Sequence, residues 1–212
     1  NGQNITQEMR AVFIPDPGKR LAYLDLEQAE SRAVAYLAED EAYIEACESG
    51  DLHTAVCRMI WPDLNWSGDL DTDRYMCDSQ MFDSLHSYRH MAKASGHATN
   101  YYASAQTLAR SNKVSLSSME SFKADYLGRF SAISEWHQKV AQELGTTGTI
   151  TTPLGRKRQF FGRLNDDSTL REAIAFGPQS VIADVLNMAL LKVWTALQVQ
   201  QPLVEVLAQV HD

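Results

Sequence analysis

Hydrophobic and polar positions follow a helical period over most of the chain. Apolar residues recur every three or four positions from about residue 79 to 102, from 115 to 144 and from 168 to 199. We expect helices over these stretches, the last one interrupted at Gly177-Pro178. The second stretch carries an apolar stripe of the kind that packs in a core. Its members are Met119, Phe122, Tyr126, Phe130, Ile133, Trp136 and Val140.

Capping residues mark shorter helices in the first third of the chain. A helical pattern follows Asp25 and ends near Glu39, Asp40 stands at the N-cap of a second helix, and Asp51 stands at the N-cap of a third. The segment 63–73 is rich in Asn, Ser, Gly and Asp and predicts an exposed loop. Together with the long stretches, these signals predict a protein that is mostly helical.

A few short stretches predict strands. Residues 11–14 and 21–25 flank a Pro-Asp-Pro-Gly turn and predict a hairpin. Residues 147–152 and 156–161 flank Pro-Leu-Gly and predict a second hairpin, whose basic return strand suits either a phosphate backbone or the protection of a sheet edge. Residues 203–212 are apolar and β-prone. The expected fold class is therefore α+β, mostly helical.

Composition and charge narrow the classes of function. The chain has 212 residues, a net charge of −8 and the composition of an ordinary soluble globular protein. The negative charge argues mildly against nucleic acid as a partner, although a local basic surface decides such binding. No apolar run approaches the roughly 20 residues of a membrane span, so we expect no membrane partner and a cytoplasmic location. The cysteines, Cys47, Cys57 and Cys77, lack metal-ligand spacing and are expected to be free thiols.

Asp25 lies where the predicted strand 21–25 meets the helical pattern. A carboxylate at such a junction is commonly a helix N-cap. It is also well placed to be a metal ligand or a catalytic acid, because a rigid sheet would hold it at the edge of a cleft. Gln28, Glu30 and Arg32 add polar groups within the next two turns. The residues alone leave both interpretations open.

A second candidate site is a line of side chains on the helix predicted from residue 79 to 102. Arg89, Lys93, His97 and Tyr101 are spaced four apart, so they follow one another along one face over about 18 Å. Such a line is often a solvated stripe on a surface helix. Two cations followed by an imidazole and a ring also match a triphosphate followed by a base.

These segments together resemble the DNA polymerases of family A, the bacterial polymerase I and phage polymerase group. Asp25–Arg32 resembles motif A, the pattern Arg-x3-Lys-x7-Tyr from Arg89 to Tyr101 resembles motif B, and Val210-His211-Asp212 resembles the start of motif C. Lesser landmarks of the family lie between them in the same order: Asp51–Thr54, Gly155–Arg158 and Pro178-Gln179.

The resemblance implies a polymerase palm built on an antiparallel sheet, formed by residues 1–40 and 141–212, and a helical fingers subdomain formed by residues 41–140. It implies template-directed transfer of deoxynucleotides to a primer 3′-hydroxyl with two Mg²⁺ ions. Asp25 and Asp212 would be metal ligands, as expected for hard cations that prefer oxygen donors. The Leu26 carbonyl would be a third ligand.

The resemblance also assigns nucleotide-binding roles. Arg89 and Lys93 would grip the triphosphate, Lys93 would protonate the pyrophosphate leaving group, and His53 would add a phosphate contact. Gln28 and Glu30 would lie near the sugar, where a carboxylate side chain can exclude a 2′-hydroxyl.

The remaining roles concern the base pair and the DNA. Tyr101 would stack near the templating base pair, and Arg171, Gln179 and His211 would contact the primer–template. This chain departs from the family at two positions. His97 stands in the nucleotide-binding stripe where an aromatic or apolar residue is usual. Tyr102 stands where a Gly is usual, so we expect the end of this helix to be shaped differently.

The expected partners are primer–template DNA, deoxynucleoside triphosphates, and the thumb and remaining palm segments of the same polymerase. The acidic residue that usually follows His-Asp is not in this sequence, so we expect an internal piece of a longer polymerase, encoded by a bacterium or a phage. Two alternatives stay open. One is a nucleotide- or DNA-binding module derived from a polymerase and inactive as an isolated fragment. The other is a helical scaffold whose polar stripes are only solvated.

Overall fold

The computed structural model describes residues 8–201 and 203–209, apart from the side chain of Arg10. This part of the chain is mostly helical, with a small antiparallel sheet. A short 3₁₀ helix covers Glu8–Val12. The strands are β1 Thr149–Thr151 and β2 Lys157–Gln159. The α-helices are α1 Ala29–Ala38, α2 Glu41–Glu48, α3 Leu52–Ile60, α4 Leu70–Ser79, α5 Tyr88–Asn100, α6 Ala105–Asn112, α7 Leu116–Arg129, α8 Ser131–Thr147 and α9 Asp167–Gln200.

The described chain divides into two compact units. The larger unit contains residues 30–181, and the smaller unit contains residues 1–29 and 182–212. The larger unit has a continuous apolar core, and the whole predicted stripe from Met119 to Val140 is buried in it. At its centre, Tyr43 packs against Tyr126 and Phe130, with ring centroids 6.1 Å and 4.8 Å away. The prediction that this stripe forms a core face is confirmed.

A buried polar network fixes the same core. Asn100 donates from Nδ2 to the Tyr43 hydroxyl over 2.8 Å, and the Tyr126 hydroxyl donates to Asn100 Oδ1 over 3.0 Å. His137 Nε2 lies 2.8 Å from the Asn100 carbonyl oxygen. Because buried polar groups are costly unless they are paired, this network holds α2, α5, α7 and α8 in one arrangement.

The predicted caps Asp40 and Asp51 are confirmed. Asp40 Oδ1 accepts the backbone N–H of Tyr43 over 2.9 Å at the start of α2. Its other oxygen, Oδ2, accepts the N–H of Ala132 over 3.1 Å in the first turn of α8. The stretch 115–144 therefore forms two helices that meet at Phe130, because the Asp40 carboxylate satisfies a donor at the start of the second.

Several predicted boundaries are wrong. The predicted loop 63–73 already contains the start of α4, and Asp73 is buried there. Residues 80–87 precede α5 as a loop closed by a bridge between Met81 and Ser87. The long helix α9 continues through Pro178, and Gly177 leaves room for Leu37, which would lie 3.4 Å from an added Cβ. Proline weakens a helix by removing one N–H donor, but here the helix continues on both sides.

The predicted hairpin near residue 155 is confirmed. Strand β1 pairs with β2 in antiparallel register, with Ile150 opposite Arg158. Gly155 adopts a φ of 85° in the turn, a backbone region that glycine reaches without strain. Each residue of the basic strand β2 is exposed.

The other predicted strands are wrong within the described residues. Residues 13–14 and 21–25 have no regular structure, residues 11–12 belong to the 3₁₀ helix, and residues 203–209 form no strand. Their apolar side chains are largely exposed, as for Ile14, Leu24 and Leu203. A strand-forming sequence needs a partner to complete its hydrogen-bond ladder, and the described residues provide none here. Residues 210–212 of the predicted last strand lie outside the described residues.

Helix α9 is long and apolar enough, by length and composition alone, to cross a membrane. An 18-residue window has a mean hydropathy of 1.5, and 11% of that window is buried. In the sequence, Asp184, Asn187 and Lys192 interrupt the apolar run of this helix. A single helix of this kind is weak evidence for a membrane span, since some helices of soluble proteins are equally long and apolar.

Candidate functional site

Helix α5 displays the predicted line of side chains on its outward face. Ser87 caps the helix by accepting the N–H of His90 over 3.2 Å. The inward face buries Met91, Ala92, Ser95, Gly96 and Thr99 against the core. As a result, Lys93 and His97 are exposed, while Arg89 and Tyr101 are half-buried at the two ends of the line.

Arg89 is held by a carboxylate from α3. Its Nη2 lies 3.1 Å from each oxygen of Asp51, and its Nε lies 3.3 Å from Oδ2. Arg74 Nε approaches the same carboxylate at 3.6 Å. Burial by itself raises the pKa of Asp51, but the charge of Arg89 and the hydrogen bonds of Thr54 outweigh it and lower that pKa. Asp51 therefore stays ionised and fixes the Arg89 guanidinium.

His53 lies on α3, two residues after Asp51, and is close enough to α5 to interact electrostatically with Arg89 and Lys93. Burial, together with the nearby side chains of Arg89, Lys93 and His97, lowers the pKa of His53 to about 4, against the opposing effect of Asp51. His53 is therefore a neutral imidazole at pH 7. The structure thus places Arg89, Lys93 and His53, the predicted phosphate contacts, close enough to one another to interact electrostatically.

Glu30, in the first turn of α1, contacts His97 on α5. Its Oε2 lies 3.5 Å from His97 Nε2, and the two side chains are 18% and 52% exposed. The His97 ring also packs against Tyr101, with ring centroids 4.9 Å apart. Residues from α1, α3 and α5 therefore meet along the exposed face of α5.

Tyr102 ends α5 in a left-handed backbone conformation, with a φ of 63°. The N–H of Ala103 bonds to the Ala98 carbonyl over 2.9 Å, and the N–H of Tyr102 bonds to the Thr99 carbonyl over 3.0 Å. This is the Schellman pattern, in which glycine is usual at the position of Tyr102. The helix end thus keeps the turn that a glycine would adopt, while the Tyr102 ring lies 5.3 Å from that of His137.

Asp25, Leu26 and Gln28 belong to the smaller unit and precede α1. Asp25 is exposed and accepts a 3.4 Å hydrogen bond from the Tyr23 hydroxyl. Because α1 begins at Ala29, Asp25 is not its N-cap, and that interpretation is wrong. Gln28 has a φ of 54° and donates to Glu27 over 3.5 Å.

The predicted metal site is only partly described. Asp25 and the Leu26 carbonyl are oxygen donors of the kind that Mg²⁺ prefers, whereas His211 and Asp212 lie outside the described residues. Within residues 8–201 and 203–209, no group of three or more His, Cys, Asp or Glu side chains is arranged to hold a metal ion.

The predicted DNA contacts Arg171 and Gln179 are both exposed on α9. On β2, Arg158 Nη2 pairs with Glu172 Oε2, and its guanidinium carbon lies 4.6 Å from the centre of the Phe160 ring. Arg158 is therefore partly neutralised by a residue next to Arg171, which reduces the positive charge of this surface.

Sequence reasoning missed the second role of Asp51. It identified this residue as a helix cap and as part of the Asp51–Thr54 landmark, but not as the partner of Arg89. The available signal was the position of Asp51, an acid next to His53 in a segment that the family resemblance assigns to phosphate contact. The fold brings these two segments into contact through the pair of Asp51 and Arg89.

Comparison with known proteins gives a consistent result. The profile described as DNA polymerase family A matches residues 1–212. DNA polymerase I of Caldicellulosiruptor bescii is 26% identical over 96% of this chain, and the thermostable DNA polymerase I of Thermus aquaticus is 26% identical over 97%. In both cases the chain spans 23% of the relative's length.

A solved structure shares the fold. The polymerase domain of Pol1 from M. smegmatis, in complex with DNA primer-template and dNTP, superposes with a TM-score of 0.65 at 23% identity. The match covers 82% of this chain and 29% of that one. With the family profile matched from end to end, the resemblance found in the motifs is confirmed, and the chain belongs to DNA polymerase family A.

Proposed function

We propose that this chain carries the nucleotide-binding surface and part of the metal site of a DNA polymerase that extends a primer under the direction of a template. The observation that carries the proposal is the exposed face of α5, where Arg89, Lys93, His97 and Tyr101 follow one another in a chain of family A. The family supports polymerase function in general, and the geometry of this face suits a triphosphate followed by a base.

The phosphate end of the site consists of Lys93, Arg89 and His53. Lys93 is an exposed ammonium that can reach an incoming phosphate, whereas Arg89 is already oriented by Asp51. Charge-assisted hydrogen bonds from such groups are among the stronger contacts in proteins. In the reaction, the primer 3′-hydroxyl loses its proton to solvent and its oxygen bonds to the α-phosphorus. The bond from the α-phosphorus to the oxygen that bridges to the β-phosphate breaks, and Lys93 donates a proton to the departing pyrophosphate.

The sugar and base end consists of Glu30, His97 and Tyr101, and the family resemblance also assigns Gln28 to the sugar. A carboxylate beside the sugar excludes a 2′-hydroxyl, so Glu30 favours deoxynucleotides. Tyr101 offers an aromatic ring next to the templating base pair. These roles follow from family membership and from the contact between Glu30 and His97.

The metal end is formed by Asp25, the Leu26 carbonyl and Asp212. Two Mg²⁺ ions, when bound, would lower the pKa of the primer hydroxyl and neutralise the pyrophosphate. Asp25 is exposed and has no role as a helix cap, which supports its assignment as a ligand. His211 would lie beside Asp212 at the primer end.

The DNA surface includes Arg171 and Gln179, with the basic strand β2 nearby in the sequence. In this proposal, residues 41–140 act as fingers, and residues 1–40 and 141–212 act as palm. Since the chain spans 23% of its curated relatives, the thumb and the remaining palm are partners supplied by the rest of the polymerase. The site of action would be the cytoplasm.

Nucleotide binding is tested by isothermal titration of a deoxynucleoside triphosphate with Mg²⁺ into this chain, with the Lys93→Ala variant alongside. Loss of one charged contact should weaken binding about 10- to 100-fold. Lys139→Ala, an exposed lysine on α8, is the matched control and should bind like the wild type. Equal affinity in all three proteins would refute the role of Lys93.

Catalysis is tested by primer extension with the full-length gene product that contains this chain. Asp25→Ala should abolish extension, while Asp16→Ala, an exposed acid in the same segment, should leave it intact. If the wild-type protein binds nucleotide and primer–template but never extends the primer, the alternative of a polymerase-derived binding module replaces this proposal.

A further inference from the structure

The contact between His97 and Glu30 joins two helices that are distant in sequence. His97 Nε2 on α5 lies 3.5 Å from Glu30 Oε2 on α1, and Glu30 is much the more buried of the two. Through this contact, the first turn of α1 meets the line of side chains Arg89, Lys93, His97 and Tyr101 on α5.

A carboxylate at the position of Glu30 needs a partner to fix its side chain. The first turn of a helix favours a negative charge, because the unpaired N–H groups carry partial positive charge. That field stabilises the charge but does not select one rotamer of a glutamate. His97 supplies a neighbouring polar group 3.5 Å from the Glu30 carboxylate, and its ring packs against Tyr101 with ring centroids 4.9 Å apart.

The other charged groups of the site make this contact important. Lys93 and Arg89 lie on the same helix as His97, and Asp51 and His53 face them from α3. Arg89 is already paired with Asp51. Without His97, the Glu30 carboxylate loses the side-chain group that lies 3.5 Å from it.

We propose that His97 is a positioning residue that holds the Glu30 carboxylate against the sugar pocket and so sets the preference for deoxynucleotides over ribonucleotides. The inference rests on the proposed function, because it assumes that the nucleotide sugar lies beside Glu30. It concerns a residue that stands where the family usually has an aromatic or apolar side chain. In this chain, His97 therefore adds a polar contact to the Glu30 carboxylate, which excludes a 2′-hydroxyl from the sugar pocket in the proposed function.

The inference is tested by a double-mutant cycle in the full-length gene product. The variants are His97→Phe, Glu30→Gln and the combination of both. For each, kcat/KM is measured with a deoxynucleoside triphosphate and with the matching ribonucleoside triphosphate, and their ratio gives the discrimination. Because direct effects on phosphate binding act on both substrates, they cancel in this ratio.

His97→Phe should lower the discrimination about two- to fivefold, the range expected for losing one partly exposed contact to a carboxylate. The same substitution should have no further effect in the Glu30→Gln background, because no carboxylate is then left to position. His97→Lys keeps a cation opposite Glu30 and should retain the wild-type ratio. His90→Phe, an exposed histidine on the same helix whose ring stacks on His86, is the matched control and should also retain it.

The contradicting outcomes are distinct. An equal loss of discrimination in both backgrounds would mean that His97 contacts the sugar directly, and an unchanged ratio would mean that it has no role. Either result overturns the positioning role while leaving the polymerase function intact. A wild-type protein that does not extend primers overturns the proposed function, and this inference with it. Equal thermal midpoints among the variants exclude a general loss of folding.

Discussion

At the scale of single residues, Asp73 illustrates how one carboxylate organises a loop. It is buried, and its Oδ1 accepts hydrogen bonds from the Ser67 N–H and hydroxyl over 2.7 Å each. Its Oδ2 accepts from the Gly68 N–H over 3.2 Å and from Arg58 Nε over 2.8 Å. Burial raises the pKa of Asp73, but these hydrogen bonds and Arg58 outweigh it and lower the pKa to about 2.

Replacing Asp73 with Asn should therefore destabilise the chain in a pH-dependent way. A lowered carboxyl pKa contributes stability above the ordinary value, near 4, and loses it as the pH falls toward 2. Asp73→Asn should cost about 2 kcal/mol of unfolding free energy at pH 7, and the difference from wild type should shrink below pH 4. Urea titrations at pH 7, 4 and 3 measure it. Asp71→Asn, an exposed acid on the same helix, should show no such loss.

Residue-level reasoning succeeded where the information is local. Asp40 and Asp51 could be identified as caps because a cap lies next to the helix that it serves. The pairing of Asp51 with Arg89 spans 38 positions, and no local pattern encodes it. The roles proposed for Arg89, Lys93 and Glu30 rest on family resemblance, and the contact between Glu30 and His97 became visible only in the fold.

At the scale of elements, α5 packs against α7 through Gly96. A Cβ added at Gly96 would lie 3.1 Å from Tyr126 Cε2, which is closer than most real contacts. The Tyr126 ring cannot easily retreat, because its hydroxyl is bonded to Asn100 and its edge packs on Tyr43 and Phe130. Glycine at this position therefore allows the two helices to approach closely.

Gly96→Ala should consequently destabilise the chain, by about 1–3 kcal/mol from overpacking, even though alanine is intrinsically the better helix former. Gly145→Ala in α8 is the matched control. Nothing lies within 4 Å of a Cβ added there, so the same substitution should stabilise the chain by about 0.5–1 kcal/mol. Denaturant midpoints distinguish the two signs. If both substitutions stabilised, α5 and α7 would not be tightly packed at this point.

Element prediction was more successful for helices than for strands, and the reason is physical. A helix satisfies its backbone within a single segment, so the apolar period that marks α5, α7 and α8 is enough to identify them. A strand needs a partner, and residues 21–25 have the composition of a strand without a ladder in the described structure. The hairpin of β1 and β2 was predictable because its partner follows directly after the turn.

At the scale of the whole molecule, charge and apolar surface point in different directions. The net charge of −8 favours solubility and opposes association. Helix α9 nevertheless exposes a run of apolar side chains, and in relatives of the family such a chain makes up only 23% of the protein. Exposed patches of this kind usually mark contact surfaces. Measuring self-association of the chain tests whether the apolar surface of α9 outweighs the repulsion between negatively charged copies.

We expect this 212-residue chain to self-associate through α9 when it is studied alone. Leu191 and Trp194 are 64% and 50% exposed, and burying their apolar surface is favourable at roughly 25 cal/mol per Å². Sedimentation equilibrium should show association that increases with protein concentration and with sulfate, which strengthens apolar contacts. Combining Leu191→Gln with Trp194→Gln should restore the monomer, whereas Leu154→Gln, at an exposed leucine in the β-hairpin turn, should not. A wild-type chain that stays monomeric at high concentration and in sulfate would show that α9 does not act as a contact surface.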